Sequence, residues 1–97
     1  MMAACMLLAS SAAHAGMDGQ LLYLYCKAGH QMCFGYILGT GDAINWLRDD
    51  ICIPDDTNGE TLGAVVLNWM ERFPAKRTED GQKIIFDALK ETYRCKQ

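Results

Sequence analysis

Four cysteines, Cys26, Cys33, Cys52 and Cys95, are the residues of this chain best equipped for chemistry. A thiol can pair into a disulfide, bind a soft metal or act as a nucleophile, and spacing separates these roles. Zinc sites use tight ligand pairs such as C-x2-C or H-x3-H. Here the spacing is C-x6-C with His30 inside it, and the second half of the chain has no histidine. A metal is therefore not expected. A nucleophilic thiol needs a partner base. His30 is the only histidine beyond residue 15, and in a short turn it reads as a solvated loop residue. No glycine-rich phosphate loop, no serine elbow and no separated pair of carboxylates on rigid elements accompanies the thiols. The residues point to a binding protein without cofactor or metal, not to an enzyme.

The disulfide reading fits the N-terminus. Met1 to Ala15 reads MMAACMLLASSAAHA, an apolar, small-residue run that ends in the A-x-A site Ala13-His14-Ala15. This is the pattern of a signal peptide, cleaved before Gly16. No Lys or Arg precedes the apolar run, so the leader is expected to begin upstream. The competing reading is a short N-terminal helix of the folded domain. The run falls short of the ~20 residues that span a bilayer. Cys5 has only four residues before it, too few for a lipidation signal. Export to an oxidising compartment, the periplasm, makes an even number of cysteines a disulfide framework. Residues 16–97 then form one small domain, near the size at which a core alone is marginal. The formal net charge of −3 comes without a basic cluster, which gives no footprint for nucleic acid.

Four segments read as helices. The first spans about Asp18 to Lys27, with Asp18 as N-cap, Leu21, Leu22, Leu24 and Tyr25 on one side, and Gly29 as terminator. The second spans about Met32 to Asp49, with Cys33, Ile37, Ile44 and Leu47 at helical spacing. Gly35 and Gly39 share a face of that helix, which suits close approach of a neighbouring helix or chain, or else a weak, bent helix. The third begins at Thr57-Asn58-Gly59-Glu60, which fits a capping box. It continues in the stripe Leu62, Val65, Val66, Trp69, Met70 and Phe73, and stops at Pro74. The fourth starts near Thr78 as N-cap, with Ile84, Ile85, Ala88, Leu89 and Tyr93 as its apolar stripe. No period-two strand pattern occurs. Short connections predict antiparallel neighbours, and the chain reads as a small all-α, four-helix antiparallel bundle.

Bundle geometry selects among the three possible cysteine pairings. At ~1.5 Å per helical residue, Cys33 and Cys52 lie roughly 25 Å apart along the second helix. A disulfide needs Cα atoms within ~7 Å, so that pair is excluded. Cys26 and Cys33 flank the first turn, while Cys52 and Cys95 share the opposite end. The expected staples are Cys26–Cys33 and Cys52–Cys95.

An ordered set of motifs then emerges. Cys33-Phe34-Gly35-Tyr36-Ile37-Leu38-Gly39, with Asp42-Ala43, resembles a "C-x-G-Y-I-x-G-x-x-D-A" opening. Ile51-Cys52-Ile53-Pro54 resembles "F-C-I-P". Leu62, Val65 and Val66 fall on "Q-L-x-x-V-V", with Thr61 in place of the Gln. Phe73 to Arg77 resembles "H-P-E-x-R". Ile84-Ile85, Ala88-Leu89 and Tyr93-Arg94-Cys95 fall on "L-V-x-x-A-L-x-x-A-F-P-C". The chain departs from the pattern at Thr78, Gly81 and Arg94. The set, from about Cys26 to Cys95, is similar to the Rap/Tai immunity proteins, periplasmic antagonists of peptidoglycan amidase effectors delivered by type VI secretion. The resemblance implies a protein that binds such an amidase effector and blocks its cleft. It also implies homodimerisation, for which Gly35 and Gly39 are the expected contact. Most matched residues read as scaffold, with Tyr36 half-buried and its hydroxyl hydrogen-bonded.

Two surfaces are candidates for the partner. Asp49, Asp50, Asp55 and Asp56 surround Cys52-Ile53-Pro54, and four carboxylates beside an apolar Ile53 tip would steer towards a basic rim. The same residues also suit an ordinary solvated, helix-capping turn. Arg72, Lys76 and Arg77 form a second patch at the other end. A different functional class, a periplasmic housekeeping or stress chaperone on the same scaffold without a toxin partner, is the alternative reading.

Overall fold

Each helix begins where a polar side chain takes up an orphan backbone N–H, and the structure shows which residue does so. The computed structural model describes residues 16–96. Met1–Ala15, read above as a signal peptide and containing Cys5, and Gln97 lie outside the described residues. Helix α1, Gly19–Lys27, is capped by Asp18, whose carboxylate accepts from Leu21 N at 2.8 Å. Gly29 follows at φ 67°, a left-handed conformation that glycine adopts without strain. Helix α2, Gln31–Leu47, is capped by His30, whose Nδ1 accepts from Met32 N at 3.0 Å. His30 is thus exposed, as expected of a loop residue, but also holds a helix start.

Two expected caps are displaced. Helix α3, Gly59–Arg72, is capped by Asn58, whose amide oxygen accepts from Thr61 N at 2.8 Å. With the helix starting one residue later than a Thr57 cap requires, Glu60 sits too early in the first turn to reach back. Thr78 does not open the last helix. Pro74 starts a 3-10 turn, Pro74–Thr78, and the Thr78 hydroxyl donates to the Ala75 carbonyl at 3.3 Å. Helix α4, Gly81–Thr92, is capped by Asp80, which accepts from Gln82 N and Lys83 N.

The four expected helices are therefore present, no strand occurs among the described residues, and two isolated bridges complete the backbone pairing. Leu22 and Cys26 of α1, Cys33 and Ile37 of α2, Leu62, Val66, Trp69 and Met70 of α3, and Ile84, Ile85, Ala88 and Leu89 of α4 form one core. Three stripes are narrower than expected. Leu21 and Leu24 are exposed, because the face that α1 buries is the one carrying Gly19, Leu22 and Cys26. Leu47 is exposed because α2 ends there, past the last core contact. Phe73 is more than a third exposed, with its ring 5.0 Å from that of Trp69.

Two junctions hold the helices in place. At one, the start of α1 backs onto the start of α4: Gly19 N donates to Glu79 O and Gly81 N to Met17 O, each at 2.9 Å. A Cβ on Gly19 would fall onto the carbonyl oxygens of Arg77 and Glu79 and the Ile84 methyl. At the other, residues 48–58 leave α2 and fold back along it. Ile53 N donates to Asn45 Oδ1 at 3.0 Å, and Gly59 then lies against the Phe34 carbonyl. This connection is longer than the short turns expected. The disulfides pair as expected, Cys26–Cys33 with Cα atoms 4.9 Å apart and Cys52–Cys95 with 5.0 Å.

The bridges should differ in weight. Cys52–Cys95 closes 43 residues and Cys26–Cys33 only 7. Loop-closure entropy then predicts that Cys52→Ala costs ~2–4 kcal/mol and Cys26→Ala less. Denaturant melts of the two variants check this, and equal losses or the reverse order would refute it. Gly19→Ala provides a second test. Alanine favours an isolated helix by ~1 kcal/mol over glycine, yet here it should destabilise by about 1–3 kcal/mol through overpacking. An unchanged or raised urea midpoint would mean that the α1–α4 junction yields easily.

A third test uses pH. The Lys27 ammonium, 2.6 Å from the Glu71 carboxylate, and then the Tyr23 hydroxyl hold the Glu71 carboxyl below the usual carboxylate range. A depressed carboxyl contributes stability above its unfolded-state value and loses it as pH falls through the folded value. The pair is exposed, so the effect is small. Glu71→Gln should flatten the acid limb of a plot of urea midpoint against pH, and an unchanged slope would assign acid sensitivity elsewhere.

Candidate interaction surface

The 12 carboxylate side chains of this chain divide by what they do. Asp18 and Asp80 cap helices. Asp50, Glu71, Glu79, Asp87 and Glu91 are ion-paired. The remaining five, Asp42, Asp49, Asp55, Asp56 and Glu60, are all exposed and make no ion pair or side-chain hydrogen bond among the described residues. All five fall between the second half of α2 and the first turn of α3. The carboxylates without an internal partner thus fall within one stretch of chain, and next to it, around the Cys52–Cys95 bridge, Arg94 and Lys96 are exposed cations without an ion pair among the described residues.

The residues expected to meet a partner do not share one environment. Asp49, Asp55 and Asp56 are exposed, and Asp55 lines a small cleft together with Asp42. Asp50 instead serves the fold. Its carboxylate accepts from Arg48 Nη2 at 2.9 Å and Nε at 3.2 Å, Lys90 Nζ lies 3.7 Å away, and its main-chain oxygen accepts from Cys95 N. Burial pushes the Asp50 carboxyl up, but the Arg48 hydrogen bond and the two cations together outweigh it and hold the group below its ordinary value. Ile53 is half-buried beside Gly41, with its Cδ1 3.6 Å from where a Gly41 Cβ would stand. Its side chain packs towards the core.

The cations of the second patch are engaged. Arg72 pairs with Glu91 and bonds Asn68, and Lys76 pairs with Glu79. Arg77 donates to the Met70 carbonyl and lies 3.7 Å above the Tyr23 ring.

The outer face of α2 carries residues that sequence reasoning missed. Trp46 is 86% exposed and Leu47 75%. Between α2 and α4 runs a groove of about 700 Å3, lined by Gly35, Gly39, Ala43 and Leu47 on one side and by Lys83 and Phe86 on the other. A Cβ at Gly35 or Gly39 would meet nothing within 4 Å. No neighbouring helix of the fold approaches them; within the fold a close approach is made at Gly41, against Leu62 and Leu89. Arg48 closes one end of the groove with its guanidinium 4.6 Å above the Phe86 ring. Tyr36, also in the lining, is half-buried as expected, but its enclosed hydroxyl has no hydrogen-bond partner among the described residues. A signal for Trp46 was available in the sequence. It lies 7 and 11 residues beyond Gly39 and Gly35, on the glycine face and off the apolar stripe.

No group of three or more His, Cys, Asp or Glu side chains able to hold a metal occurs among the described residues. No helix among them is long and apolar enough to cross a membrane. The arrangement presents surfaces for contact rather than a cleft of converging titratable groups. No curated protein and no solved structure matches the chain. A family model, that of the Rap1a immunity proteins, matches residues 18–95. The match runs from the Asp18 cap of α1 to the terminal staple at Cys95, and so takes in both disulfides, the four helices and the acidic connection between them. Covering most of the chain and all of its core, it makes this protein a member of the Rap1a immunity protein family.

Proposed function

We propose that this chain is a periplasmic immunity protein that binds and inhibits a peptidoglycan amidase effector delivered by type VI secretion. The observation that carries the reading is the family match, which covers the whole disulfide-clasped domain and implies a toxin effector as partner. Such a role is one of binding, not catalysis. The compartment is supported by the two disulfides, which persist where thiols are oxidised, and by the A-x-A pattern at Ala13–Ala15. The amidase as target rests on the resemblance of the motifs to Rap/Tai proteins.

The physics of inhibition favours a rigid plug, since little conformational freedom is then lost on docking. The connection from Arg48 to Asn58 meets that requirement. Cys52 is linked to Cys95, Ile51 is buried, Asp50 is ion-paired, and Ile53 is held by Asn45. Asp49, Asp55 and Asp56 then project unneutralised from a fixed backbone. Carboxylates so placed steer association towards a positively charged cleft rim.

Replacing Asp49, Asp55 and Asp56 together by Asn should lower the association rate with the purified amidase effector about tenfold at low salt. Dissociation should change less, and the loss should shrink as salt rises, because exposed charges are screened over ~8–10 Å. Asp50 is left intact so that its pairs with Arg48 and Lys90 survive. Surface plasmon resonance at two salt concentrations reads the rates, and peptidoglycan hydrolysis with and without the wild-type chain reads inhibition. Unchanged rates would make the acidic turn scaffold. Full hydrolysis in the presence of equimolar wild-type protein would remove the proposed function itself.

A further inference from the structure

The largest exposed apolar side chain of the domain is not on the acidic turn but on the last turn of α2. Trp46 is 86% exposed. An indole left in water adds no apolar burial to the fold, whereas one buried at an interface removes about 150–250 Å2 from water. On a helix, positions 35, 39, 42 and 46 lie on one face. That face is two bare glycines, one unpaired aspartate and the tryptophan, and beside it runs the groove walled by Ala43, Leu47 and Phe86. A backbone can approach closely over Gly35 and Gly39, where a Cβ would meet nothing.

Charge decides what covers this face. Asp42 is one turn before Trp46 and Asp49 three residues after it, both exposed and without an ion pair among the described residues. A second copy packed here would bring the unpaired Asp42 and Asp49 of both chains into one interface, in a chain of net charge −3, while the cations lining the groove, Arg48 and Lys83, are already paired with Asp50 and Asp87. A partner with the opposite rim satisfies both the indole and the acids. We infer that the outer face of α2, anchored by Trp46, docks into an apolar pocket ringed by Lys or Arg on a partner protein. The inference rests on the immunity reading for the partner's identity as a toxin, and it moves the energetic centre of the interface from the acidic turn to α2. Interfaces concentrate their affinity in a few buried aromatic anchors, while rim charges act mainly on the association rate.

The test is binding of the purified amidase effector to wild-type protein, Trp46→Ala, Gly39→Gln and, as a control on α1, Leu24→Ala, with the oligomeric state of each followed by light scattering. Leu24 is 61% exposed and far from acidic neighbours in sequence. Trp46→Ala should raise Kd about thirtyfold or more, mostly through faster dissociation. Gly39→Gln, which has room to fold, should raise Kd by obstructing the bare strip. Leu24→Ala should leave Kd within about twofold. Thermal unfolding should be unchanged by Trp46→Ala. If wild type binds and both α2 variants bind equally well, this face is not the docking surface and the immunity role stands. If Trp46→Ala dissociates a wild-type dimer while amidase affinity is kept, the face is a self-contact and the partner assignment is overturned. If wild type itself does not bind the amidase, the proposed function falls and the assignment of this face falls with it.

Discussion

The tie between the segment after α2 and the C-terminus is the constraint on which the rest of this domain depends. Cys52 and Cys95 are joined, and hydrogen bonds flank the bridge on both sides, Cys52 N to Tyr93 O at 2.7 Å and Cys95 N to Asp50 O at 3.2 Å. Ile51 is buried beside it. Without that tie the long connection from Arg48 to Asn58 would have to be ordered by Asn45 and a few exposed ion pairs, and pairs of that kind contribute ~0–1 kcal/mol each. With it, α3 begins at a defined place against Phe34, and the aspartates of the connection are held on a backbone that does not need to be ordered again on binding.

Helix α2 is the element that both builds the core and faces outward. Its inner face carries Cys33, Ile37 and Gly41, the last approached by Leu62 and Leu89 side chains. Its outer face carries Gly35, Gly39 and Trp46, with none of the described residues packed over the glycines. Glycine thus serves two opposite ends on one helix. At position 41 the missing side chain admits neighbours from within the fold. At 35 and 39 it leaves a strip open to whatever lies outside it.

Electrostatics reinforces that polarity. The cations near the end of α3 and its 3-10 turn are spent within the fold, Arg72 on Glu91, Lys76 on Glu79 and Arg77 on a carbonyl and the Tyr23 ring. The carboxylates between Asp42 and Glu60 mostly are not. In this member of the Rap1a immunity protein family the unpaired carboxylates and the exposed indole of Trp46 thus fall in the stretch from α2 to the start of α3.

The sequence by itself determined the helices, their core stripes and the disulfide pairing. Helical periodicity is a local property, and the length of α2 alone forbids Cys33–Cys52. It also carried the family, through motifs that run from the Cys33 opening to Cys95. Caps were legible only where one polar residue stood alone. Asp18 was readable, whereas Thr57 against Asn58 and Thr78 against Asp80 were contests between adjacent cap formers, decided by where the helix axis could start against its neighbours. Tertiary structure alone decided which residues on the acidic turn are free. Asp49 and Asp50 are both within two residues of Arg48, yet only the second pairs with it, and Lys90 from α4 lies beside the same carboxylate. The same holds for Ile53, turned inward by a connection that folds back on α2, and for Trp46, left exposed because none of the described elements packs on that face. Burial, and a pairing such as that of Lys90 with Asp50, are relations between distant segments, and local pattern carries no record of them.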